Sequence, residues 1–279
     1  MQLFHTISSL KSFLASQRLL GKSIGFVPTM GALHEGHLSL INKAKSETDL
    51  TVCSIFVNPT QFNNSHDLAV YPRTLEADCS LLERVACDVV FAPSADEMYP
   101  QMPTMTFDFG DLERVMEGAF RPGHFNGVGI VVSKLFHIVQ PDKAFFGQKD
   151  LQQCAIVNQL IHNLSFDLEF VVCPTQRETD GLAMSSRNRN LSPEQRSIAP
   201  VLYKALQKGR DLLLSGQSSV QVKQVIEESL GNIQAIELEY FEIADKNTLA
   251  PIQEYVPEKT ALCIAAYLGK TRLIDNILL

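Results

Sequence analysis

Residues 29–37 read TMGALHEGH, which sets His34 and His37 three positions apart with Gly36 before the second. Two imidazoles at that spacing can hold a metal, donate hydrogen bonds to a phosphate, or face solvent at the start of a helix. The metal reading requires H-E-x-x-H, with histidines one helical turn apart and a glutamate between them. HEGH is one residue short, so the second histidine is displaced around the helix, and no further Cys/His cluster supplies the missing ligands. The phosphate reading fits the flanks. A buried strand ends at Val27, a Pro-Thr-Met-Gly turn follows, and a helix opens close to His37. A helix start presents unpaired N–H groups and a positive dipole end, both suited to phosphate. Gly31 and Gly36 allow close backbone approach to a base or phosphate. The histidines can donate to phosphate oxygens or stabilise charge developing at phosphorus.

Other polar clusters fall where strands end or helices begin. SIFVNPTQF ends a strand at Val57 and puts Asn58 and Gln61 just beyond it. Neutral amides both donate and accept, which suits a small polar hydroxy acid, although an Asn-Pro turn accounts for the same residues. FFGQKDLQQ ends a strand at Phe146 and opens a helix near Asp150, which could cap it; Lys149 would bring a cation, with Gln153 about one turn further on. RPGHFNGVG places Arg121, His124 and Asn126 ahead of an apolar helix, as a second phosphate or carboxylate clamp. DGLAMSSRN has Ser185, Ser186 and Arg187 in succession, the composition of a lid over a triphosphate or of an interdomain linker.

The elements that must position these residues are legible from periodicity. Strands are predicted over 23–28, 50–59, 88–93, 143–147 and 168–174, and helices over 37–47, 73–87, 125–140 and 150–164. This alternation implies parallel β-α-β units and a doubly wound α/β sheet, whose ligands bind at the carboxyl ends of its strands. After Pro174 a polar stretch with four arginines reads as a loop or hinge. Two helices, roughly 193–214 and 219–230, and strands at 235–245 and 260–268 then form a smaller α+β unit. Two domains are expected, residues 1–175 and 176–279.

The bulk numbers agree. With 279 residues, 45% of them hydrophobic and 20% charged, the chain can bury a substantial core. A net charge of −7 argues against a general nucleic-acid or membrane-surface binder, so an anionic ligand needs a local basic cluster. Cys53, Cys79, Cys87, Cys154, Cys173 and Cys263 form no C-x-x-C pair, which is thiol usage of a reducing compartment. The N-terminal segment is an amphipathic helical pattern carrying lysine and arginine, unlike a signal peptide, and no run reaches the length of a membrane span. A cytoplasmic protein is expected.

Taken together, these stretches resemble the pantothenate synthetase family. VPTMGALHEGH carries that family's H-x-G-H motif, which several nucleotidyltransferases and aminoacyl-tRNA synthetases share. SIFVNPTQF, YPRT, MEGAFRPGHFNGV, VSKLF, FGQKDLQQ, DGLAMSSRN and AAYLGKTRLIDN follow in the family's order and spacing, from about Phe26 to Asn276. The resemblance implies a Rossmann-like N-terminal domain binding ATP and pantoate, a smaller C-terminal lid domain, and a homodimer. It also implies a two-step reaction of the pantothenate and coenzyme A pathway. Pantoate attacks the α-phosphorus of Mg·ATP to give pantoyl adenylate and pyrophosphate, and β-alanine then displaces AMP.

The resemblance implies roles by position. Met30, Gly31, Ala32, Leu33, His34, Glu35, Gly36 and His37 line the ATP site, with His37 as acid or proton donor and His34 assisting at the phosphates. Gln61 and Gln153 hold pantoate, Gln61 also serves β-alanine, and Asn58 and Tyr71 shape that pocket. Gly147, Gln148, Lys149, Asp150, Gln176, Met184, Ser185, Ser186 and Arg187 contact the nucleotide, and Arg121 orients the pocket or the leaving pyrophosphate. Gln148 stands where many members have glutamate, and the region of Asp78, near a metal contact in some members, matches only in part. No protein ligand of magnesium is assigned, and the metal is expected on the phosphates. The rivals are an AMP-transferring enzyme on the same scaffold, a tRNA-aminoacylating enzyme, a zinc hydrolase and a non-catalytic ATP-binding regulator. The whole reading requires His34, His37, Lys149 and Ser185–Arg187 to meet one nucleotide.

Overall fold

In the computed structural model, six parallel strands form one sheet: β1 (Gln2–Phe4), β2 (Ile24–Thr29), β3 (Leu50–Ile55), β4 (Val89–Phe91), β5 (Lys143–Gly147) and β6 (Glu169–Cys173). Residues 1–62 and 65–279 are described, apart from the side chains of residues 65–67. The strand order is β1-β4-β3-β2-β5-β6. The chain thus builds outward from β2 to β3 and β4, then returns to add β5 and β6 on the other side of β2. That reversal makes the carboxyl ends of β2 and β5 the switch point of a doubly wound sheet. The central strands β2 and β3 are almost wholly buried, as helices on both faces demand.

The helices are α1 (Ile7–Leu19), α2 (Glu35–Glu47), α3 (Ser65–Val70), α4 (Leu75–Arg84), α5 (Ala95–Met98), α6 (Met116–Phe120), α7 (His124–Val139), α8 (Leu151–Asn163), α9 (Pro193–Ile198), α10 (Val201–Leu214) and α11 (Ser219–Gly231). Val27, Cys53, Val90 and Phe145 from the sheet pack with Leu38, Ile41 and Ala44 of α2 and Leu82 of α4. Among the described residues no helix is long and apolar enough to cross a membrane.

Two compact units result: residues Met1–Gly147 with Ile156–Cys173, and residues Gln148–Ala155 with Pro174–Leu279. The second contains an antiparallel sheet of β7 (Ile236–Asp245), β8 (Thr260–Leu268) and β9 (Thr271–Leu278) in that order. Its core joins Leu202, Leu206 and Leu213 of α10 and Val222 and Ile226 of α11 to Phe241, Leu262 and Ile264 of the sheet. A two-residue turn links β8 to β9, with Gly269 at φ 61° in the first central position, where a hairpin turn of this length needs a positive φ.

Some boundaries differ from expectation. The single helix expected over 193–214 is two, α9 and α10, because Pro200 has no N–H to continue the ladder. The short edge strand β1 and the whole of β9 lie outside the elements expected from periodicity. β2 runs through Pro28 to Thr29, tolerating proline where it pairs with β3 alone, its pairing to β5 ending at Phe26. β3 stops at Ile55, two residues early.

Candidate active site

The loop from β2 to α2 is held residue by residue. The Thr29 hydroxyl donates to the Ser54 carbonyl at 2.7 Å and accepts from the Gly31 N–H at 3.2 Å. Gly31 has φ 81°, and a Cβ there would sit 3.0 Å from Asp78 Oδ2. Asp78, 1% exposed, accepts the N–H of Ala32 on Oδ2 at 3.0 Å and that of Leu33 on Oδ1 at 2.8 Å. The Thr74 hydroxyl adds a third bond at 3.2 Å. Asp78 therefore keeps Ala32 in the left-handed region, at φ 51°.

His34 is the N-cap of α2, so the helix begins earlier than expected. Its Nδ1 accepts the Gly36 N–H at 3.2 Å, and its own N–H donates to His37 Nδ1 at 3.3 Å. A backbone N–H can only donate, so Nδ1 of each ring is an acceptor and the ring proton sits on Nε2. The rings lie 4.1 Å apart at 45°. Two half-buried Nε2–H donors thus stand together at a helix N-terminus beyond β2. Glu35 is exposed and Met30 half-buried.

Beyond β3, Asn58 caps the 3₁₀ turn Pro59–Gln61. Its Oδ1 accepts from the Tyr99 hydroxyl at 2.8 Å and the Thr60 hydroxyl at 2.9 Å, while Nδ2 donates to Gln61 Oε1 at 3.0 Å and the Gly127 carbonyl at 3.1 Å. Asn58 is 1% exposed, and its amide is spent on fixing Gln61. Burial raises the pKa of the Tyr99 phenol, so that group is a neutral donor. Gln61 Nε2 reaches the Met30 sulfur at 3.0 Å, which links the two loops. At Gly127 of α7 an added Cβ would collide with the backbone of Thr60 and Gln61, so only glycine lets α7 pack this closely.

His124 opens α7 and bonds the Gln61 carbonyl through Nδ1 at 2.9 Å. A carbonyl only accepts and a guanidinium only donates. The ring is therefore protonated on Nδ1, and its Nε2 accepts from Arg121 at 3.3 Å. Tyr71 meets Phe62 edge-on at 5.7 Å. Gly147 closes β5, paired with Cys173.

The remaining expected residues belong to the second unit. Gln148, Lys149 and Asp150 form a 3₁₀ turn ahead of α8, with Lys149 3.6 Å from Asp150 and Gln153 half-buried in α8. Within the stretch read as loop or hinge, residues 176–184 form a small hairpin: Arg177 bridges Ala183, Met184 donates to the Gln176 carbonyl at 2.9 Å, and Gln176 is exposed. Ser185 caps the 3₁₀ turn Ser186–Asn190 and accepts the Arg187 N–H at 3.2 Å. Arg177 pairs with Asp275 through both nitrogens of its fork, at 2.6 and 3.0 Å; burial raises the pKa of this carboxyl, and Arg177 pulls against it.

Tyr99, Arg177 and Asp275 go unnoticed in the sequence, and Asp78 is singled out there only through the family resemblance, not for the loop it holds. Asp78 looks like an ordinary acid in the first turn of a helix, and the backbone N–H groups it accepts lie more than forty positions away. Burial lifts the Cys53 thiol well above the ordinary range and Cys87 to about 12, so neither is a ready nucleophile. Among the described residues, no group of three His, Cys, Asp or Glu side chains could hold a metal ion.

The sequence model of one family, pantoate-beta-alanine ligase, matches residues 2–278. The pantothenate synthetase of Porphyromonas gingivalis (strain ATCC BAA-308 / W83) is 50% identical, covering 99% of each chain. That of Bacteroides thetaiotaomicron is also 50% identical, over 99% of this chain and 98% of the relative. Pantothenate synthetase from Thermus thermophilus superposes with a TM-score of 0.93 at 42% identity, over 99% of each chain. A ligase from Francisella tularensis, solved with β,γ-ATP and β-alanine, superposes with a TM-score of 0.82 at 36% identity, over 100% of this chain and 97% of that one.

Proposed function

We infer the reaction from one premise: the chain belongs to the pantoate-beta-alanine ligase family. It is a ligase of pantothenate biosynthesis that joins (R)-pantoate to β-alanine with ATP, releasing AMP and pyrophosphate. A carboxylate is a poor electrophile, and adenylation gives it a good leaving group. In the first step a pantoate carboxylate oxygen bonds to the α-phosphorus as the bond to pyrophosphate breaks. In the second, the β-alanine amine attacks the acyl carbonyl and AMP leaves. Both steps need positioning and charge stabilisation, with no covalent protein nucleophile.

The observation that carries this reading is the pair of Nε2–H donors on His34 and His37 at the start of α2. They are suited to non-bridging oxygens of the α-phosphate as charge builds there, with His37 as proton donor. The loop Met30–His37 and Gly147 serve the nucleotide. Gln148, Lys149, Asp150, Gln176 and Met184 have the same role, and Lys149, Ser185, Ser186 and Arg187 add charge and hydroxyl donors for the triphosphate. Gln61 and Gln153 take pantoate, and Gln61 also meets β-alanine. Asn58, Tyr71 and Arg121, the last through His124, fix that pocket.

Magnesium would be carried in on the phosphates in this reading, and would supply positive charge against the pyrophosphate. Asp78 suits it poorly, since both carboxylate oxygens already accept backbone N–H groups. A cytoplasmic homodimer completes the proposal, and equilibrium sedimentation tests the dimer.

The deciding assay is pyrophosphate–ATP exchange. It should require pantoate, with AMP and pantothenate formed only after β-alanine is added. His37→Ala and Lys149→Ala should each lose roughly 100- to 1,000-fold in exchange while staying folded, the usual loss for one electrostatic donor. Absence of pantoate-dependent exchange in folded wild-type protein refutes the reading. An AMP adduct indifferent to β-alanine identifies a different nucleotidyltransferase.

A further inference from the structure

We propose that the adjacent residues Asp275 and Asn276 of β9 are positioning residues for phosphate activation, each anchoring one of two chain segments that carry phosphate-binding groups. The proposal rests on the reading that gives Lys149 and Ser185–Arg187 to the triphosphate.

Asn276 is 3% exposed, and its amide is fully engaged. Nδ2 donates to the carbonyls of Gln148 and Lys149, both at 2.9 Å, and Oδ1 accepts from Gln148 Nε2 at 3.1 Å. One side chain thus holds the backbone on which Lys149 is mounted. Such bonds fix the direction in which the lysine leaves the 3₁₀ turn, which propensity alone would not do.

Asp275, 5% exposed, grips Arg177 by the two-point pair already described. The same guanidinium donates to the carbonyls of Gly181 and Asn276, each at 3.1 Å, and lies 3.8 Å above the Tyr203 ring. Gly181, at φ 93°, packs so closely on Tyr203 that an added Cβ would meet Tyr203 Cδ1 at 2.5 Å. Arg177 is therefore fixed on four sides. Its hairpin closes with the Met184–Gln176 bond, and the Ser186–Asn190 turn capped by Ser185 follows directly.

Both segments are thus indexed to neighbouring residues of one strand. The Asp275 carboxylate also accepts the Asn276 N–H at 2.8 Å, which ties the two anchors together. A fork-shaped pair specifies angle as well as distance, which lysine in place of arginine would not reproduce. The interactions serve orientation of the cation and hydroxyls, and a displacement of about 1 Å at such a group costs on the order of 100-fold in rate.

The test compares half-reactions in Asn276→Leu, which keeps the branched heavy-atom shape and removes the hydrogen bonds. Pantoate-dependent pyrophosphate–ATP exchange should fall roughly 10- to 100-fold in kcat/KM for ATP. Conversion of added pantoyl adenylate by β-alanine should stay within about three-fold of wild type, because pyrophosphate has already left. A merely structural role would lower both half-reactions alike, and that result overturns the proposal, as does unchanged exchange in folded protein. Arg177→Lys, which keeps the charge but not the fork, must show the same asymmetry. It decides the matter if Asn276→Leu does not fold. Failure of wild type itself to exchange would instead strike the functional reading, so the two failures are distinguishable.

Discussion

The carboxylate of Asp78 accepts the backbone N–H of Leu33 at 2.8 Å across 45 positions of sequence. A residue in the first turn of α4 therefore sets the loop that delivers His34 and His37. The loop between β2 and α2 is not shaped by its own glycines alone. Gly31 lets the chain turn, but the peptides of Ala32 and Leu33 are held by a charged acceptor buried with them.

Replacing Asp78 with alanine leaves two buried N–H groups without that acceptor, and hydrogen bonds to a charged group are worth about 1.5–3 kcal/mol each. Asp78→Ala should destabilise the first unit by roughly 3 kcal/mol and raise KM for ATP. Asp78→Asn keeps one oxygen acceptor and should fall between. Thermal melting with and without ATP checks this. Equal ligand-induced stabilisation in wild type and both variants would show that the loop holds its shape without the carboxylate.

The paired histidines separate structure from chemistry. His34 caps α2 through Nδ1, a role asparagine performs as well as any residue, whereas asparagine lacks the ring's Nε2–H. His34→Asn should melt within about 0.5 kcal/mol of wild type yet lose pyrophosphate exchange by about 10- to 100-fold. His34→Ala should lose the activity and a further ~1 kcal/mol of stability, the usual worth of an N-cap. Retained exchange in folded His34→Asn would reduce this residue to a cap.

How much of this is legible in sequence follows from the range of each interaction. Parallel strands such as LTVCSI declare themselves because burial on both faces leaves a run of apolar and small residues with no charge. The apolar run 125–140 reads as helix from its length although its valines favour strand, and it folds as one. β9 is invisible because TRLIDNIL mixes charged and apolar residues without clean alternation: Asp275 and Asn276 are both buried, paired within the protein and not solvated. The histidine motif, Asn58, Gln61 and Lys149 can be singled out because their local spacing carries meaning. Asp78, Tyr99 and Asp275 cannot, since what matters is a partner 41 to 98 residues away. Sequence also suggests Asn58 as a neutral amide for a ligand. The folded chain turns that amide inward, where it orients Gln61.

A last prediction concerns pH and lies away from the chemistry. At the end of β7 the Asp245 carboxylate accepts the N–H groups of Asn247 and Thr248, each at 2.9 Å, and the Thr248 hydroxyl at 3.1 Å. The Thr248 and Asn247 bonds hold this carboxyl below its ordinary value. The unfolded chain, with a pKa of about 3.9, then binds the proton more readily than the native state. The contribution is fully present above the unfolded value and disappears as pH falls through the depressed native one. Because the turn is partly solvated, it amounts to about 1 kcal/mol or less. Asp245→Asn should therefore melt slightly below wild type at pH 7 and pH 5, with the gap narrowing below pH ~3. A gap that widened on acidification would mean that the native state holds the protonated carboxyl more tightly, reversing the direction assigned to this turn.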